Sequence, residues 1–363
     1  MGKRVTIKDI AEAAGVSIGT VHCALNGKPG VSEEKRQLIN QVARNMDYRP
    51  NTLAASLKRK TIRIAAVVPG NFPTSRHYFS FIWKGIRDYL QSLDDYNIEL
   101  LEFPCLLSGS SHSQTLKEVL EHHSIDGLLT TGYSDPKAIG GLLSGFAEKG
   151  IPVVLISNDM PQTGRLACVQ PDYPQIGSTL AELICRQVGV DAPILMCAGH
   201  PAIPSHYLIL RGFLEYMEGK GKQNPLHVLQ SGEGENHFRE LLEDTLRQEP
   251  DIAGCCSVNA TDSVLLSEVL TQTGRAGKII AVGSDLFREN LEALRQDVLT
   301  NLVNKKPYDQ GYIAARYLTD HLIRETITDK DVIYVGSEIV FQSNLSNYDN
   351  DFYRFVTESP NVC

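Results

Sequence analysis

Apolar residues recur at helical spacing in three short segments at the start of the chain. Thr6, Ser17 and Ser32 are residue types that commonly cap helices, and each stands directly before one of these segments. Gly15 supplies a tight turn between the first two segments. The inward-facing positions are Ile7, Ile10, Ala11 and Ala14, then Val21 and Leu25, then Leu38, Ile39, Val42 and Ala43. The pattern predicts a compact three-helix domain, although any small helical bundle shows the same periodicity.

From Ile62 onward, short apolar runs alternate with amphipathic stretches. The predicted strands are 64–68, 98–103, 127–131, 153–157, 194–198, 227–229, 254–258, 278–283 and 299–303. The predicted helices are 80–93, 113–122, 136–149, 174–188, 206–218, 238–248, 262–273 and 308–324. Alternation of this kind indicates parallel α/β sheets. Because this part of the chain is longer than one such core usually is, we expect two lobes.

Charge divides the chain at the same place. Of the 363 residues, 42% are hydrophobic and 21% charged, and the net charge is −8. Residues 1–63 hold 12 Lys and Arg against five Asp and Glu, a net +7, which leaves −15 for the remainder. A basic head on an acidic body is typical of a phosphate-binding module joined to a part that does not bind nucleic acid.

Several classes of protein lack support in the sequence. The eight cysteines form no CxxC pair and have no histidines at zinc-site spacing, so we expect no metal, cofactor or disulfide framework. No apolar run approaches the roughly 20 residues that span a bilayer, and the start of the chain lacks the apolar region of a signal peptide. We therefore expect a cytoplasmic protein with no membrane partner. GxSxG, HExxH and GxxxxGK[ST] are all missing, so we expect no enzymatic activity.

The first 60 residues carry a more specific signal than periodicity. They contain the strings VTIKDIAEAAGVS, TV, LNG, VSEEKR and YRPN. These strings resemble the head of the LacI/GalR (lactose-repressor) family of bacterial transcriptional regulators. The resemblance implies a helix-turn-helix DNA-binding domain at 1–49 and a hinge helix at 50–61. A flexible basic linker is the alternative reading of the hinge.

The resemblance also assigns DNA contacts. It implies that the second helix lies in the major groove and that two hinge helices pair in the minor groove, where Leu57 would wedge between base pairs. The implied major-groove residues are Thr6, Ser17, Ile18, Gly19, Thr20, His22, Cys23 and Asn26. The implied hinge residues are Asn51, Ala54, Leu57 and Lys58. His22 stands where the family usually has Ser, and Cys23 where a polar residue is common, so the operator sequence does not follow from relatives. His22 can donate to guanine or contact a phosphate, and both readings stay open.

The body carries weaker family strings in the expected order. They are IPVVLISNDMP, VQPDYPQIG, VGSDLFRENLEALRQ and NKKPYDQGYIAARYL. They resemble the periplasmic sugar-binding fold that forms the effector core of LacI/GalR regulators. The resemblance implies a core at 62–363, with an N-lobe of 62–158 and 305–326 and a C-lobe of 159–304 and 327–363. A ligand cleft would separate the lobes.

Strand ends supply the candidate ligand contacts. Asp285 follows an apolar strand, where open α/β sheets place ligand contacts, and the family uses this carboxylate to accept hydrogen bonds from sugar hydroxyls. Tyr78, Phe79, Phe81, Asp159, His206, Asn259 and Lys305 complete the predicted effector site. Asp159, Asn259 and Asp285 have a competing reading as helix caps or turn formers, and the aromatic residues as core. Ile209 replaces an arginine common in relatives. Lys305 stands in a stretch where glutamine is common, and its charge favours an anionic sugar derivative if it faces the cleft.

Together these features predict a DNA-binding transcriptional regulator, most simply a repressor. It would bind a palindromic double-stranded operator as a homodimer, and a sugar or sugar derivative in the cleft would control its operator affinity. Two alternatives stay open. One is a regulator controlled by a protein corepressor, and the other is a solute-binding sensor without transcriptional output.

Overall fold

The computed structural model describes residues 5–25, 29–46, 48, 61–70, 72, 76–93, 96–106, 109–132, 136–232, 234–324 and 331–348. The chain divides into two compact units: one comprises residues 1–61 together with 93–97, and the other residues 62–92 and 98–363. Some predicted DNA contacts lie outside the described residues, namely Asn26, Asn51, Ala54, Leu57 and Lys58. Residues 50–60 of the predicted hinge lie outside them as well.

Three helices form the described part of the N-terminal unit, as predicted: α1 (Ile7–Ala14), α2 (Ile18–Leu25) and α3 (Glu33–Asn45). Thr6 and Asp9 form a capping box at the start of α1, in which the Thr6 backbone N–H donates to the Asp9 carboxylate at 2.7 Å. Gly15 ends α1 with a φ of 65°. The Ser17 hydroxyl accepts from the backbone N–H of Thr20 at 3.1 Å, so it caps α2.

Fewer residues are buried in the core of this unit than the periodicity predicted. Its fully buried apolar residues are Ile10, Ala11, Val21, Ala24, Ile39 and Ala43. Leu38 was predicted to face inward but is 48% exposed. Because α3 packs through Ile39 and Ala43, one turn apart, the neighbouring Leu38 points about 100° away from the contact.

The second unit contains two six-stranded sheets. The strands are β1 (Ile62–Val67), β2 (Ile98–Glu102), β3 (Gly127–Thr131), β4 (Val153–Ile156), β5 (Ala167–Pro171), β6 (Ile194–Cys197), β7 (Leu226–Leu229), β8 (Gly254–Ser257), β9 (Ile280–Ser284), β10 (Asn301–Asn304), β11 (Val332–Val335) and β12 (Glu338–Val340). Lobe 1 has the order β11-β5-β4-β3-β1-β2, and lobe 2 has the order β12-β10-β9-β8-β6-β7. Every pairing is parallel except that of β10 with β12.

Helices cover both faces of each sheet, which is why the central strands β3, β4, β8 and β9 are almost completely buried. The helices are α4 (Arg76–Gln91), α5 (Gly109–His122), α6 (Pro136–Glu148), α7 (Tyr173–Cys185), α8 (Pro204–Gly219), α9 (Glu235–Gln248), α10 (Ala260–Gln272), α11 (Arg288–Arg295) and α12 (Pro307–Arg324). Short 3-10 helices span Pro161–Thr163 and Gln342–Tyr348. The predicted parallel α/β architecture with two lobes is confirmed.

Two lobe boundaries differ from the expectation. Strand β5 pairs with β4, so the first crossing between lobes comes after Pro171 and not near 159. Strand β11 pairs with β5, so the last crossing lies between Val335 and Glu338 and not between residues 326 and 327. The middle crossing, between Asn304 and Pro307, is where the sequence placed it. The errors arose because β5, β11 and β12 are short and lack a strong apolar run, so none of them was predicted.

Each lobe contains one pair of helices whose backbones touch. In lobe 1, α4 crosses α12 through Gly85 and Gly311, and in lobe 2, α7 crosses α8 through Gly177 and Gly212. A Cβ atom on any of these four glycines would overlap a backbone oxygen of the facing helix. The glycines therefore set the spacing of the helix pairs that carry part of the site described next.

Candidate functional site

A cavity of about 360 Å³ lies between the two lobes at the carboxyl ends of the parallel strands. This is the position at which open α/β sheets bind ligands. Of the eight predicted effector residues, six line the cavity: Tyr78, Phe79, His206, Asn259, Asp285 and Lys305.

Asp285 and Lys305 form a buried ion pair in the wall of this cavity. Lys305 Nζ lies 2.6 Å from Asp285 Oδ2, and the Lys305 backbone N–H donates to Asp285 Oδ1 at 3.1 Å. Lys305 Nζ also donates to the carbonyl of Val258 at 3.2 Å. Asp285 is 1% exposed and Lys305 5%, so the two charges compensate each other away from bulk water. The Lys305 ammonium is therefore already paired within the protein, and a preference for an anionic ligand stays a prediction.

Gln310 joins the ion pair to lobe 1 and was not predicted. Its Nε2 donates to the Lys305 carbonyl at 2.7 Å and to the Tyr78 hydroxyl at 2.8 Å, while its Oε1 accepts from the Ser157 hydroxyl at 2.7 Å. Burial and the nearby Asp285 carboxylate raise the pKa of Tyr78, so its phenol stays protonated at neutral pH. A glutamine one turn into α12, on its apolar face, was the sequence signal for this residue.

His206 lies in the cavity wall as a neutral ring. Its Nδ1 accepts from the backbone N–H of His200 at 3.0 Å, so the proton of the neutral ring is on Nε2. Burial, and secondarily the charge of Lys305, lowers the pKa of His206 to about 3. Gly199, with a φ of 70°, leaves room for the ring, because a Cβ there would overlap it. His206 can therefore supply one N–H donor and no charge.

Asn259 and Asp262 form a polar corner at the start of α10. Asn259 caps the helix by accepting from the Asp262 backbone N–H at 2.8 Å, and its Nδ2 donates to Asp262 Oδ2 at 2.8 Å. The Ser231 hydroxyl donates to the same oxygen at 2.9 Å. Asp262 is 6% exposed, and burial raises its pKa to about 6. The sequence reading named Asn259 but missed Asp262, which looked like an ordinary acidic residue in a first helical turn.

Hydrogen bonds join the lobes directly beside the cleft, and in one of them the Tyr173 hydroxyl donates to the Ser157 carbonyl at 2.8 Å. The Ser205 backbone N–H at the start of α8 donates to Asn158 Oδ1 at 3.1 Å. Ile203, the N-cap of α8, makes no side-chain cap bond of its own. Asn158 from lobe 1 therefore caps a helix of lobe 2, a role that the sequence could not reveal because the two residues meet only in the folded core.

Two predicted effector residues lie elsewhere. The Asp159 carboxylate binds Arg165 through both oxygens, with Arg165 Nη2 at 2.7 Å from Oδ2. A turn at Gly164, with a φ of 68°, brings Arg165 back to it. Phe81 packs against Ala260 and Phe287 as an apolar contact between the lobes. Neither residue is among the described residues that line the cavity, and both expectations are corrected accordingly.

The predicted DNA-reading face of α2 is exposed. Ser17, Ile18, Gly19 and His22 lie at the surface of the unit, with Ile18 53% exposed, while Thr20 and Cys23 are half-buried. Thr6 is exposed as well, although its hydroxyl belongs to the capping box. Arg36, which the sequence reading missed, donates to the carbonyls of Ala24 at 3.1 Å and Cys23 at 3.4 Å and so anchors the end of α2.

The described residues contain no helix that is both long and apolar enough to cross a membrane. They also contain no group of three or more His, Cys, Asp or Glu residues arranged to hold a metal ion.

Family models match both parts of the chain. The model described as bacterial regulatory proteins, lacI family, matches residues 6–51. The model described as periplasmic binding protein domain matches residues 64–326. The two matches meet close to the boundary between the two compact units.

Relatives and solved structures agree with these models. Catabolite control protein A of Streptococcus mutans serotype c is 26% identical over 339 residues, which cover 91% of this chain and 95% of that protein. The HTH-type transcriptional regulator pepR1 of Lactobacillus delbrueckii subsp. lactis is 24% identical over 351 residues, covering 94% and 98%.

The solved structures are similar over the core. GanP, a glucose-galactose binding protein from Geobacillus stearothermophilus, gives a TM-score of 0.68 at 20% identity and covers 79% of this chain and 99% of its own. A solute-binding protein of an ABC transporter from Burkholderia graminis, in complex with D-arabinose, gives a TM-score of 0.71 at 18% identity, covering 80% and 98%. The chain therefore belongs to the lacI family of bacterial regulatory proteins and is a DNA-binding transcriptional regulator whose core is a periplasmic binding protein domain.

Proposed function

We propose that this regulator is a repressor that binds a near-palindromic operator as a homodimer, and that a sugar or sugar derivative in the cleft controls its operator affinity. One observation carries the proposal. The wall of the cavity between the lobes consists of buried polar side chains whose own hydrogen bonds are largely satisfied, with Asp285, Lys305 and Asn259 at strand ends. Such a preorganised wall suits a small ligand rich in hydroxyl groups.

The head would supply sequence recognition. Ile18 and Gly19 allow apolar contact or close approach to base edges, and His22 adds a hydrogen-bonding group on the same exposed face of α2. Thr6, Ser17, Thr20, Cys23 and Asn26 complete the proposed major-groove surface. The hinge residues Asn51, Ala54, Leu57 and Lys58 remain a proposal from the family resemblance, with Leu57 as the minor-groove wedge.

The ligand would act by changing the orientation of one lobe relative to the other. Asn158 is hydrogen-bonded to Ser205 across the cleft, and Gln310 of lobe 1 to Lys305 beside lobe 2. A ligand in the cavity would therefore lie next to the hydrogen bonds that join the two lobes and could change them. Closure of the cleft would move lobe 1 against that of the dimer mate. Because the proposed hinge directly precedes β1 of lobe 1, this movement changes the spacing of the paired hinges and thus the stability of the wedge.

Operator binding tests the proposal. Operators are selected from random duplex DNA, and the affinity of the full-length protein is measured by fluorescence anisotropy at several salt concentrations, with and without a panel of monosaccharides. We expect selected sites with two-fold symmetry, two protomers per site and an affinity that a sugar changes. Specific binding that no small molecule alters would favour control by a protein corepressor. Lack of specific binding at low salt would contradict the repressor proposal and favour a sensor without transcriptional output.

A further inference from the structure

The charges that line the cleft are unbalanced. Among the described lining residues, Asp262, Asp285 and Glu235 are acidic, while Lys305 is the one lysine or arginine. Lys305 is already paired with Asp285 at 2.6 Å. Glu235 is exposed, whereas Asp262 is 6% exposed. Asp262 is therefore a buried carboxylate in the cavity wall with no lysine or arginine partner among the described lining residues.

The groups around Asp262 are neutral donors. The Ser231 hydroxyl and the Asn259 amide both donate to Oδ2, at 2.9 and 2.8 Å, which leaves Oδ1 as the acceptor still to be used. His206, the nearby titratable donor in the cavity wall, does not supply charge because its pKa is lowered to about 3. An ionised carboxylate that is buried without a counter-ion is unfavourable, and the raised pKa of Asp262, about 6, reflects this.

Several features that would attract an anion are already satisfied within the protein. Asn158 accepts from the first turn of α8, and Asn259 from the first turn of α10, so these two helix starts beside the cavity have internal acceptors, whereas Gly234 at the start of α9 makes no side-chain cap bond. The ammonium of Lys305 is held by Asp285 and the Val258 carbonyl. A phosphate or carboxylate on the ligand would therefore share the cavity with the Asp262 carboxylate and find no unpaired lysine or arginine among the described lining residues.

The size of the cavity limits the ligand further. Its volume of about 360 Å³ falls near the lower end of the roughly 300–1,000 Å³ typical of small-molecule sites. This suits one sugar ring better than an oligosaccharide.

We infer that the cleft binds a monosaccharide that carries a protonated amino group, and that Asp262 anchors this group. The inference rests on the proposed function, since it names the ligand class of the same cleft. The ammonium would donate to Asp262 Oδ1, while the Asp285–Lys305 pair and His206 would contact hydroxyl groups. An ammonium to carboxylate bond in a buried site is charge-assisted and is stronger than the bond that a hydroxyl can make at the same place.

The test compares matched pairs of sugars with the full-length protein. Isothermal titration calorimetry at pH 7, above the pKa of Asp262 of about 6, measures binding of D-glucosamine, D-galactosamine and D-mannosamine. The parent hexoses and glucose 6-phosphate are titrated alongside. We expect at least one amino sugar to bind about 10-fold or more tightly than its parent hexose, and glucose 6-phosphate to bind more weakly than glucose.

Three variants test whether the Asp262 carboxylate causes the preference for amino sugars. Asp262→Asn is nearly isosteric but removes the charge, so it should weaken binding of the amino sugar more than binding of the parent hexose and abolish the preference for the amine. Ser231→Ala removes a neighbouring hydrogen bond but keeps the carboxylate, so the preference for the amine should persist. Glu235→Gln tests the exposed carboxylate and should also leave the preference in place. Thermal unfolding of each variant shows that it is folded.

Several outcomes would overturn the inference. They are a preference for hexose or hexose phosphate, an amine preference that survives in Asp262→Asn, and the failure of every amino sugar to bind. Operator binding in the same preparations separates the two proposals. A protein that binds its operator specifically but binds no amino sugar contradicts only this inference, whereas loss of specific operator binding contradicts the proposed function.

Discussion

Lys305 Nζ lies 2.6 Å from Asp285 Oδ2, and both side chains are almost completely buried beside the cleft. Removal of one partner from such a pair leaves the other charge uncompensated, which typically costs about 3–5 kcal/mol. We expect Lys305→Met to lower the free energy of unfolding by about that amount, and Lys305→Met/Asp285→Leu to recover much of the loss. Urea unfolding measures both. Lys278→Met, at an exposed position, is the control, and an equal effect of the two single variants would contradict the prediction.

Gly177 should not tolerate a methyl group, because a Cβ there would overlap the Ile209 backbone oxygen where α7 crosses α8. We expect Gly177→Ala to destabilise the protein by about 1–3 kcal/mol through overpacking. Gly141 is the matched control, since it also lies in a helix but has no atom within 4 Å of a built Cβ. Gly141→Ala should stabilise by about 0.5–1 kcal/mol through helix propensity. Thermal melts that move in the same direction for both variants would disprove the packing argument.

His112 should make stability depend on pH. It is 2% exposed, and burial lowers its pKa to about 4 from 6.5. The Thr130 hydroxyl donates to the Val67 carbonyl, so His112 Nε2, at 2.9 Å from that hydroxyl, is the donor, and the lowered pKa keeps the ring neutral at neutral pH. Below pH 6.5 the unfolded chain binds a proton that the folded protein resists. The contribution of the neutral His112 ring to the free energy of unfolding is therefore fully present above pH 6.5 and is lost as the pH falls towards 4.

The size of this effect follows from the pKa shift. At about 1.4 kcal/mol per pKa unit, His112 accounts for about 3 kcal/mol of lost stability between pH 6.5 and 4. His112→Gln should remove that part of the slope in urea unfolding measured across this range. His122→Gln is the control, because the His122 side chain is 70% exposed. Identical slopes for wild type and His112→Gln would rule the assignment out.

Asn158 should contribute to both stability and communication between the lobes, because it caps α8 from the opposite lobe. Loss of a helix cap typically costs about 0.5–2 kcal/mol, so Asn158→Ala should lower unfolding free energy by that amount. It should also reduce the change in operator affinity that a bound ligand produces. Asp172→Ala removes the cap of α7 within lobe 2 and serves as the control for cap loss alone. An unchanged ligand effect in Asn158→Ala would show that this bond does not couple the lobes.

His22 should contribute to operator recognition, since it lies on the exposed face of α2. If it reads a base, His22→Ala should weaken specific binding by about 1–3 kcal/mol and leave non-specific binding almost unchanged. If it contacts a phosphate, specific and non-specific binding should weaken together and the salt dependence should fall. Anisotropy with operator and scrambled duplexes distinguishes the two. Gln41→Ala, exposed on α3, is the control and should alter neither binding mode.

Local sequence signals predicted those features that local interactions determine. The capped helices of the head and the long strands of the core were found because their apolar periodicity and capping residues are contiguous in the chain. Asp285 and Asn259 were found because a polar residue directly after a buried strand has a predictable position in an open sheet. Strands β5, β11 and β12 were missed because short strands depend on their neighbours for stability and leave little pattern of their own.

The site was less predictable where its contacts join distant segments. Gln310 and Ser157 meet across 153 residues of chain, and Asn158 and Ser205 across 47, so neither pair has a local signature. Asp159 looked equivalent to Asp285 in sequence, but Arg165 binds its carboxylate after an unpredicted turn. Lys305 lines the cavity, but the sequence could not show that its ammonium is paired with the Asp285 carboxylate.

The crossing glycines restrict where the core can bend. Gly85 with Gly311, and Gly177 with Gly212, bring backbone against backbone, and a contact of that kind contains no side chain that could change rotamer to allow sliding. Tyr78 and Gln310 must therefore travel together, as must Tyr173 and His206. Any opening of the core is then confined to rotations of the backbone at the three crossings, after Pro171, between Asn304 and Pro307, and between Val335 and Glu338. Substitutions that stiffen those short segments would slow the response to ligand without altering a single residue that touches it.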